Sequence, residues 1–257
     1  MRRLSALLLA VPLLGCATTL SPEQRQWLQD GRAAYADGKY NRAIEIYTRL
    51  IDQASKTPEA GEAYYVRGMS LAKVNNRAAA YSDLRQAASR TEDAEIHWKS
   101  NVVLGTLAYE DERWPEAARA LGAAAQAMPA APPLDLVLFR LGSSLERMGN
   151  WRAARAAFER LAQTFQNGDY AAAARRRLKS GANAFSIQCG AFSRRENADR
   201  LAADLRSRGF APALRAESSG GSGSLILVLV GQYSSYAEAG RALSQIQRVV
   251  PDAKIWP

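Results

Sequence analysis

Gly142-Ser143-Ser144-Leu145-Glu146-Arg147-Met148-Gly149-Asn150-Trp151-Arg152-Ala153-Ala154-Arg155-Ala156-Ala157-Phe158 reads as two helices joined by a tight turn. Gly142 and Leu145 share one helical face, Gly149-Asn150 breaks the pattern, and Ala154 and Phe158 resume an apolar stripe four residues apart. The arrangement recurs upstream. Gly31, Gly68, Gly105 and Gly142 lie 37 residues apart, each followed three residues later by Ala34, Leu71, Ala108 or Leu145. Ala43, Ala80, Ala117 and Ala154 come twelve residues after each glycine, and Tyr47, Leu84, Leu121 and Phe158 four residues after that. Asp37-Gly38-Lys39, Asn75-Asn76 and Asp111-Glu112-Arg113 occupy the turn position. Small residues let paired helices approach closely, and large ones fill the space between neighbouring pairs. A lone hairpin cannot bury its apolar face, so residues 21–180 are expected to stack as an all-α solenoid, closed by a capping helix after Asp169.

These units resemble tetratricopeptide repeats, with Trp27, Gly31, Tyr35, Ala43 and Tyr47 matching in the first and Gly142, Leu145, Ala154 and Phe158 in the last. The usual period is about 34 residues. The longer period here is expected to lengthen the links at 52–60, 89–97 and 126–134. Trp114 and Trp151, at the entry to second helices, are expected to pack their hairpins. The resemblance implies a concave surface that holds a protein partner.

After a hinge at Ser180-Gly181-Ala182-Asn183-Ala184, the period changes from helical to alternating. Phe185 to Cys189 reads as a half-buried strand, and Gly190-Ala191-Phe192-Ser193 as a turn. Ser193 and Glu196 have capping-box spacing at the start of a helix that Gly209 closes. Strands follow at 210–216 and 225–230, then a helix through Ala237, Ala239, Ala242, Leu243 and Ile246, then a strand at 253–256. The halves echo each other, Gly190-Ala191-Phe192-Ser193 with Gly231-Gln232-Tyr233-Ser234. The order β-α-β-β-α-β is the split βαβ, ferredoxin-like arrangement, with two helices on one side of an antiparallel sheet. The fold class is thus α+β multidomain, a helical solenoid followed by a small sheet module at 181–257.

Ile187-Gln188-Cys189-Gly190-Ala191-Phe192, Glu196-Asn197-Ala198, Leu205 to Gly209 and Val230-Gly231-Gln232-Tyr233 resemble the SPOR domain, the sporulation-related repeat of bacterial cell-wall proteins. That resemblance implies binding to peptidoglycan glycan strands stripped of stem peptides, through the open sheet face, and recruitment to the division septum. Where the family's central strand carries polar residues, Ile226-Leu227-Val228-Leu229-Val230 is continuously apolar, which puts Leu227 and Leu229 on the glycan-facing side. Ser186 and Gln188 alternate onto the same side, and Arg215 can project from the second strand. These five residues form the expected glycan site. Bare leucines there are costly unless a loop, the repeats or a partner covers them.

At the other end, Arg2 and Arg3 precede an apolar run from Leu4 to Leu14 that is too short to span a bilayer. Leu13-Leu14-Gly15-Cys16 resembles a bacterial lipobox, which implies a signal peptide over 1–16 that ends in the lipobox, with the cut after Gly15 leaving a lipidated Cys16 as the new N-terminus. Ala17, in place of the aspartate that retains many lipoproteins in the inner membrane, points to the outer membrane facing the periplasm. Cys189 is left unpaired and is expected to be a core thiol. Without Arg2 and Arg3, 32 basic residues face 25 acidic ones. The excess reads as spread over both halves, with no basic stripe, so nucleic acid is not an expected partner. His97 has no ligand cluster near it in sequence, and no spacing supports a nucleophile, an acid–base pair, a metal or a cofactor. Glu196 and Glu238 read as helix-start carboxylates. The expected function is a non-enzymatic, peptidoglycan-binding envelope lipoprotein whose repeats gather proteins for division or wall remodelling. The alternative is an outer-membrane assembly or trafficking scaffold whose second module contacts protein.

Overall fold

The computed structural model describes residues 19–219 and 223–257, so Cys16 and the lipobox lie outside the described residues. Two compact units divide the chain, one ending at Ile96 and the other running from His97 to Pro257. The sequence boundary at 180/181 therefore separates two patterns inside one packed unit.

In the first unit, α1 (Pro22–Ala36), α2 (Tyr40–Ala54), α3 (Ala60–Lys73) and α4 (Arg77–Arg90) pack as successive hairpins. Ser21 and Gln24 form a capping box that satisfies amide groups at the start of α1. Gly31 lies against the ring of Tyr47, where a Cβ would fall 2.7 Å from the ring, and Gly68 lies against Leu84. Between α3 and α4, Arg67 donates two hydrogen bonds to Asp83, at 2.6 and 2.8 Å, and a third to Thr48 Oγ1. A bidentate guanidinium–carboxylate pair fixes orientation as well as charge.

Next come α5 (Ala94–Glu110), α6 (Trp114–Ala127), α7 (Leu134–Arg147), α8 (Trp151–Thr164) and α9 (Asp169–Ser180). The same spacing rule holds, with Gly105 against Leu121 and Gly142 against Phe158. The links are shorter than the sequence suggests, at 55–59, 91–93 and 128–133, because the helices extend into the expected loops. Capping helix α9 buries Ala171 and Ala174. It also fastens α7: Arg177 pairs with the buried Glu146 at 3.2 Å. Burial holds the Glu146 carboxyl above its ordinary range, and Arg177 and Arg147 oppose that rise.

The sheet module contains β1 (Phe185–Phe192), α10 (Arg195–Ser207), β2 (Pro212–Ser219), β3 (Gly223–Tyr233), α11 (Tyr236–Ile246) and β4 (Lys254–Trp256). Sheet order is β2-β3-β1-β4, antiparallel throughout. Phe185, Ile187, Cys189, Val228 and Val230 form a core with Ala198, Ala202 and Leu205 of α10 and Ala239 and Ile246 of α11. Two local expectations are corrected. The chain does not turn at Gly190, because β1 continues through Phe192 past an irregularity between Gln188 and Gly190. Ser193 is accordingly not the helix cap; Arg194 holds that position without a side-chain hydrogen bond. The second half does cap, with Ser235 accepting from the Glu238 amide. The exposed Glu238 carboxylate in turn accepts from the Ser234 amide and hydroxyl, which lowers its pKa.

The last hairpin is built into this module. Trp151 packs against the module's core, its ring 4.7 Å from that of Phe185, which is only 2% exposed. Arg147 lies 3.6 Å over the ring of Tyr236. Gly149 abuts Ser234 so closely that a Cβ would stand 2.2 Å from its carbonyl oxygen. Trp114 packs its own hairpin as expected, edge-on to Tyr109 at 5.5 Å. Trp151 instead serves the sheet module, because that module lies against the turn it starts from.

Candidate binding face

Pairing across the sheet sets which side chains share its helix-free side. Ala213, Leu229, Gln188 and Lys254 line up in one row across the strands, and Arg215, Leu227 and Ala191 in the next. Trp256 pairs with Ser186 in a third. Residues directly opposite in antiparallel strands project to the same side. All five residues expected at the glycan site therefore lie on one face, away from α10 and α11.

That face is not bare. Leu227 is 3% exposed, and Leu229 and Ser186 are each 7% exposed, while Gln188 and Arg215 are half-buried. Of the two cases the sequence left open, bare or covered, the leucines are covered. Arg215 and Trp256 stand on the two edge strands, yet the guanidinium lies 4.6 Å over the indole ring. Their contact thus bridges the sheet above β3 and β1. The bridge is also anchored at one end, since Arg215 Nη2 donates to the Ser180 carbonyl at the end of α9. A helix's last carbonyls lack intrahelical partners and carry its negative end, so a guanidinium is a fitting donor there.

Beside the bridge is a cavity of about 360 Å³. Its walls are Ser186, Leu229, Gln232, Arg215 and Trp256, with Ala211, Ala213, Gly231 and the segment 181–184 closing the rest. Ser186, Leu229 and Arg215 thus meet in one concavity. Gln188 pairs with Leu229 and Leu227 pairs with Arg215, but neither lines the cavity. Trp256 and Gln232 were missed from sequence. The available signal was alternation: Trp256 falls two residues after Lys254, on the same side of β4.

Cys189 lies in the core, its thiol pushed up to about 11 by burial, with Sγ 3.8 Å from the Ile187 carbonyl. Among the described residues, no group of three or more His, Cys, Asp or Glu side chains is arranged to hold a metal ion. The charge is less even than the sequence pattern suggested. Residues 97–257 hold 21 basic and 14 acidic side chains, against 13 and 11 in residues 1–96, so the positive excess belongs to the unit that carries the cavity.

The SPOR domain family matches residues 181–253, and tetratricopeptide repeat families match residues 28–94 and 136–175. Among solved structures, MamA of AMB-1 is 19% identical, with a TM-score of 0.48 over 61% of this chain and 83% of that one. MamA of MSR-1 is also 19% identical, with a TM-score of 0.47 over 62% and 89% of the two chains. No curated protein matches the chain.

Proposed function

From a chain that joins tetratricopeptide repeats to a C-terminal SPOR domain, both of them binding modules, we propose a peptidoglycan-binding lipoprotein of the bacterial envelope. Its repeats hold a protein partner, and its sheet module holds glycan strands, at sites of division or wall remodelling. The observation that carries this reading is the SPOR match over the module whose helix-free face bears the Ser186–Arg215–Trp256 cavity. A hydroxyl, a carboxamide and a guanidinium beside an indole and a leucine suit a sugar, which offers hydroxyls on its rim and an apolar face. The lipid-free mature chain is expected to sediment with purified sacculi, more strongly after amidase has removed the stem peptides. Recovery in the supernatant with both preparations would overturn the reading. One observation favours the scaffold alternative: Leu227 is buried and outside the cavity, so of the two central leucines only Leu229, at the cavity wall, is left to a glycan. On that alternative, sacculi retain nothing and the module contacts protein.

Anchoring completes the proposal. The Leu13-Leu14-Gly15-Cys16 stretch after its apolar run supports diacylation of Cys16 and, with Ala17, residence in the outer membrane. Several buried acyl chains hold a membrane far more firmly than one. Cys16→Ser is expected to abolish palmitate labelling in cells and leave the protein uncleaved or misplaced in the periplasm. Equal label in variant and parent would show that Cys16 is not the anchor.

A further inference from the structure

We propose that a cavity between α1 and α2 holds the headgroup of a zwitterionic phospholipid, a phosphate joined to a primary ammonium, so that the first hairpin of the repeats lies on the membrane that anchors Cys16. The inference rests on the anchoring reading above and adds a contact between the folded chain and the lipid surface.

The cavity, of about 380 Å³, is walled by Trp27 and Asp30 of α1 and by Arg42, Glu45, Ile46 and Arg49 of α2. Its walls come from one hairpin, which sets it apart from a groove running across successive repeats. The repeat does not call for these charges either. One period later, Ala79, Ser82 and Gln86 stand where Arg42, Glu45 and Arg49 do. The volume lies near the lower limit of small-molecule pockets, roughly 300–1,000 Å³, which suits a headgroup rather than a polymer.

Two cations and two anions line the site. The Arg49 guanidinium lies 5.3 Å over the Trp27 ring and, among the described residues, has no hydrogen-bond partner. The ring orients its donors in advance, and a guanidinium can bind phosphate bidentately. Arg42 pairs with Glu45 at 3.1 Å, and Asp30 accepts from Gln26 at 2.9 Å. Each carboxylate keeps acceptor capacity for an ammonium group. An anion alone would face both carboxylates, and a cation alone both arginines. A phosphate joined to an ammonium satisfies all four. Trp27, half-buried against the core of the unit, adds the amphipathic ring that favours the headgroup level of a bilayer.

Chain length selects the membrane as the source of this headgroup. Leu20 is 3% exposed in the same core, and its carbonyl accepts from Arg25. Cys16 stands four positions before Leu20, at most about 14 Å of extended chain. A lipid on Cys16 therefore keeps the hairpin within reach of the bilayer, where headgroups are concentrated enough to fill a weak site.

The test couples Cys16 of the mature chain to a maleimide lipid in vesicles, which supplies the anchor whether or not cells acylate this cysteine. Cys189 does not compete, being buried with its thiol pushed up to about 11. A trace of lipid with a nitroxide on its headgroup quenches nearby indoles. The chain has 5 tryptophans, and the difference between parent and Trp27→Phe isolates the one in question. Trp27 is expected to be quenched about twofold more on equal phosphatidylethanolamine and phosphatidylcholine than on phosphatidylcholine alone, whose quaternary ammonium donates no hydrogen bond. Phosphatidylglycerol, which has no ammonium, should not substitute. Arg49→Gln and Glu45→Gln should each reduce the quenching to the phosphatidylcholine level, with folding checked by the thermal unfolding midpoint. Equal quenching on all three compositions overturns the inference, as does an undiminished preference in both folded variants. Calorimetry with free phosphoethanolamine separates the sources: binding there without any vesicle preference means a soluble ligand and overturns the membrane assignment. Palmitate labelling of Cys16→Ser tests the anchor separately. If label persists in that variant while the vesicle preference holds, the anchoring reading falls and the headgroup site stands.

Discussion

Trp151→Ala is expected to lower the unfolding free energy of the His97–Pro257 unit by about 3–5 kcal/mol, the range for truncating a large aromatic in a core. Trp151 begins a helix of the last repeat, yet its ring lies 4.7 Å from Phe185 among side chains of the sheet module. Truncation leaves a void against Phe185 and Tyr236, whose rings stand 5.6 Å apart. Phe185, only 2% exposed in the intact chain, then loses its cover. Urea unfolding of the full chain, followed by circular dichroism, measures the loss. Trp151→Phe separates packing from polarity. The indole Nε1 is buried with no hydrogen-bond partner, so phenylalanine removes an unpaired donor while keeping most of the ring contact. It is expected to cost less than half as much as alanine. A loss below about 1 kcal/mol for Trp151→Ala would mean that the joint between repeat and module contributes little.

Gly149→Ala is expected to destabilise the chain by about 2–4 kcal/mol, against about 1 kcal/mol for Gly38→Ala. The two glycines occupy the same turn position in the last and first repeats, with φ of +75° and +73°. Alanine meets the left-handed penalty at both. At Gly38 nothing lies within 4 Å of an added Cβ, whereas at Gly149 the Ser234 carbonyl oxygen would be 2.2 Å away. A backbone oxygen cannot move aside as a flexible side chain does, so the module must shift off the turn. The middle repeats sharpen the comparison: Asn75 and Glu112 hold the same position with φ of +62° and +56°. The repeat therefore tolerates a side chain there, and what requires glycine at 149 is the approach of Ser234. Thermal unfolding of both variants checks this, and equal losses would remove the close approach as the cause.

Much of the fold was legible because it rests on local periodicity. The glycine-to-large spacing that pairs Gly31 with Tyr47 and Gly142 with Phe158 follows from helical geometry and needs no knowledge of the rest of the chain. The alternation of Ser186 and Gln188 against Phe185, Ile187 and Cys189 likewise assigned the two faces of β1. Local pattern misled at Gly190, where glycine punctuation read as a turn but lies within a continuing strand. There, pairing with β3 supplies hydrogen bonds that outweigh the glycine's own preference.

What the sequence alone determined is the succession of elements, four helical hairpins, a cap and a βαββαβ sheet, because each is set by residues close together in the chain. Only the tertiary structure decided the use of particular residues. Trp151 reads identically to Trp114 in its repeat, yet one packs its hairpin and the other joins the sheet module's core. Arg215 and Trp256 lie far apart in sequence and on opposite edges of the sheet, yet they meet across its helix-free face. The physical reason is the same in both cases. Periodicity says which side of an element a residue occupies, but the neighbour waiting on that side is set by long-range packing, which no local pattern carries.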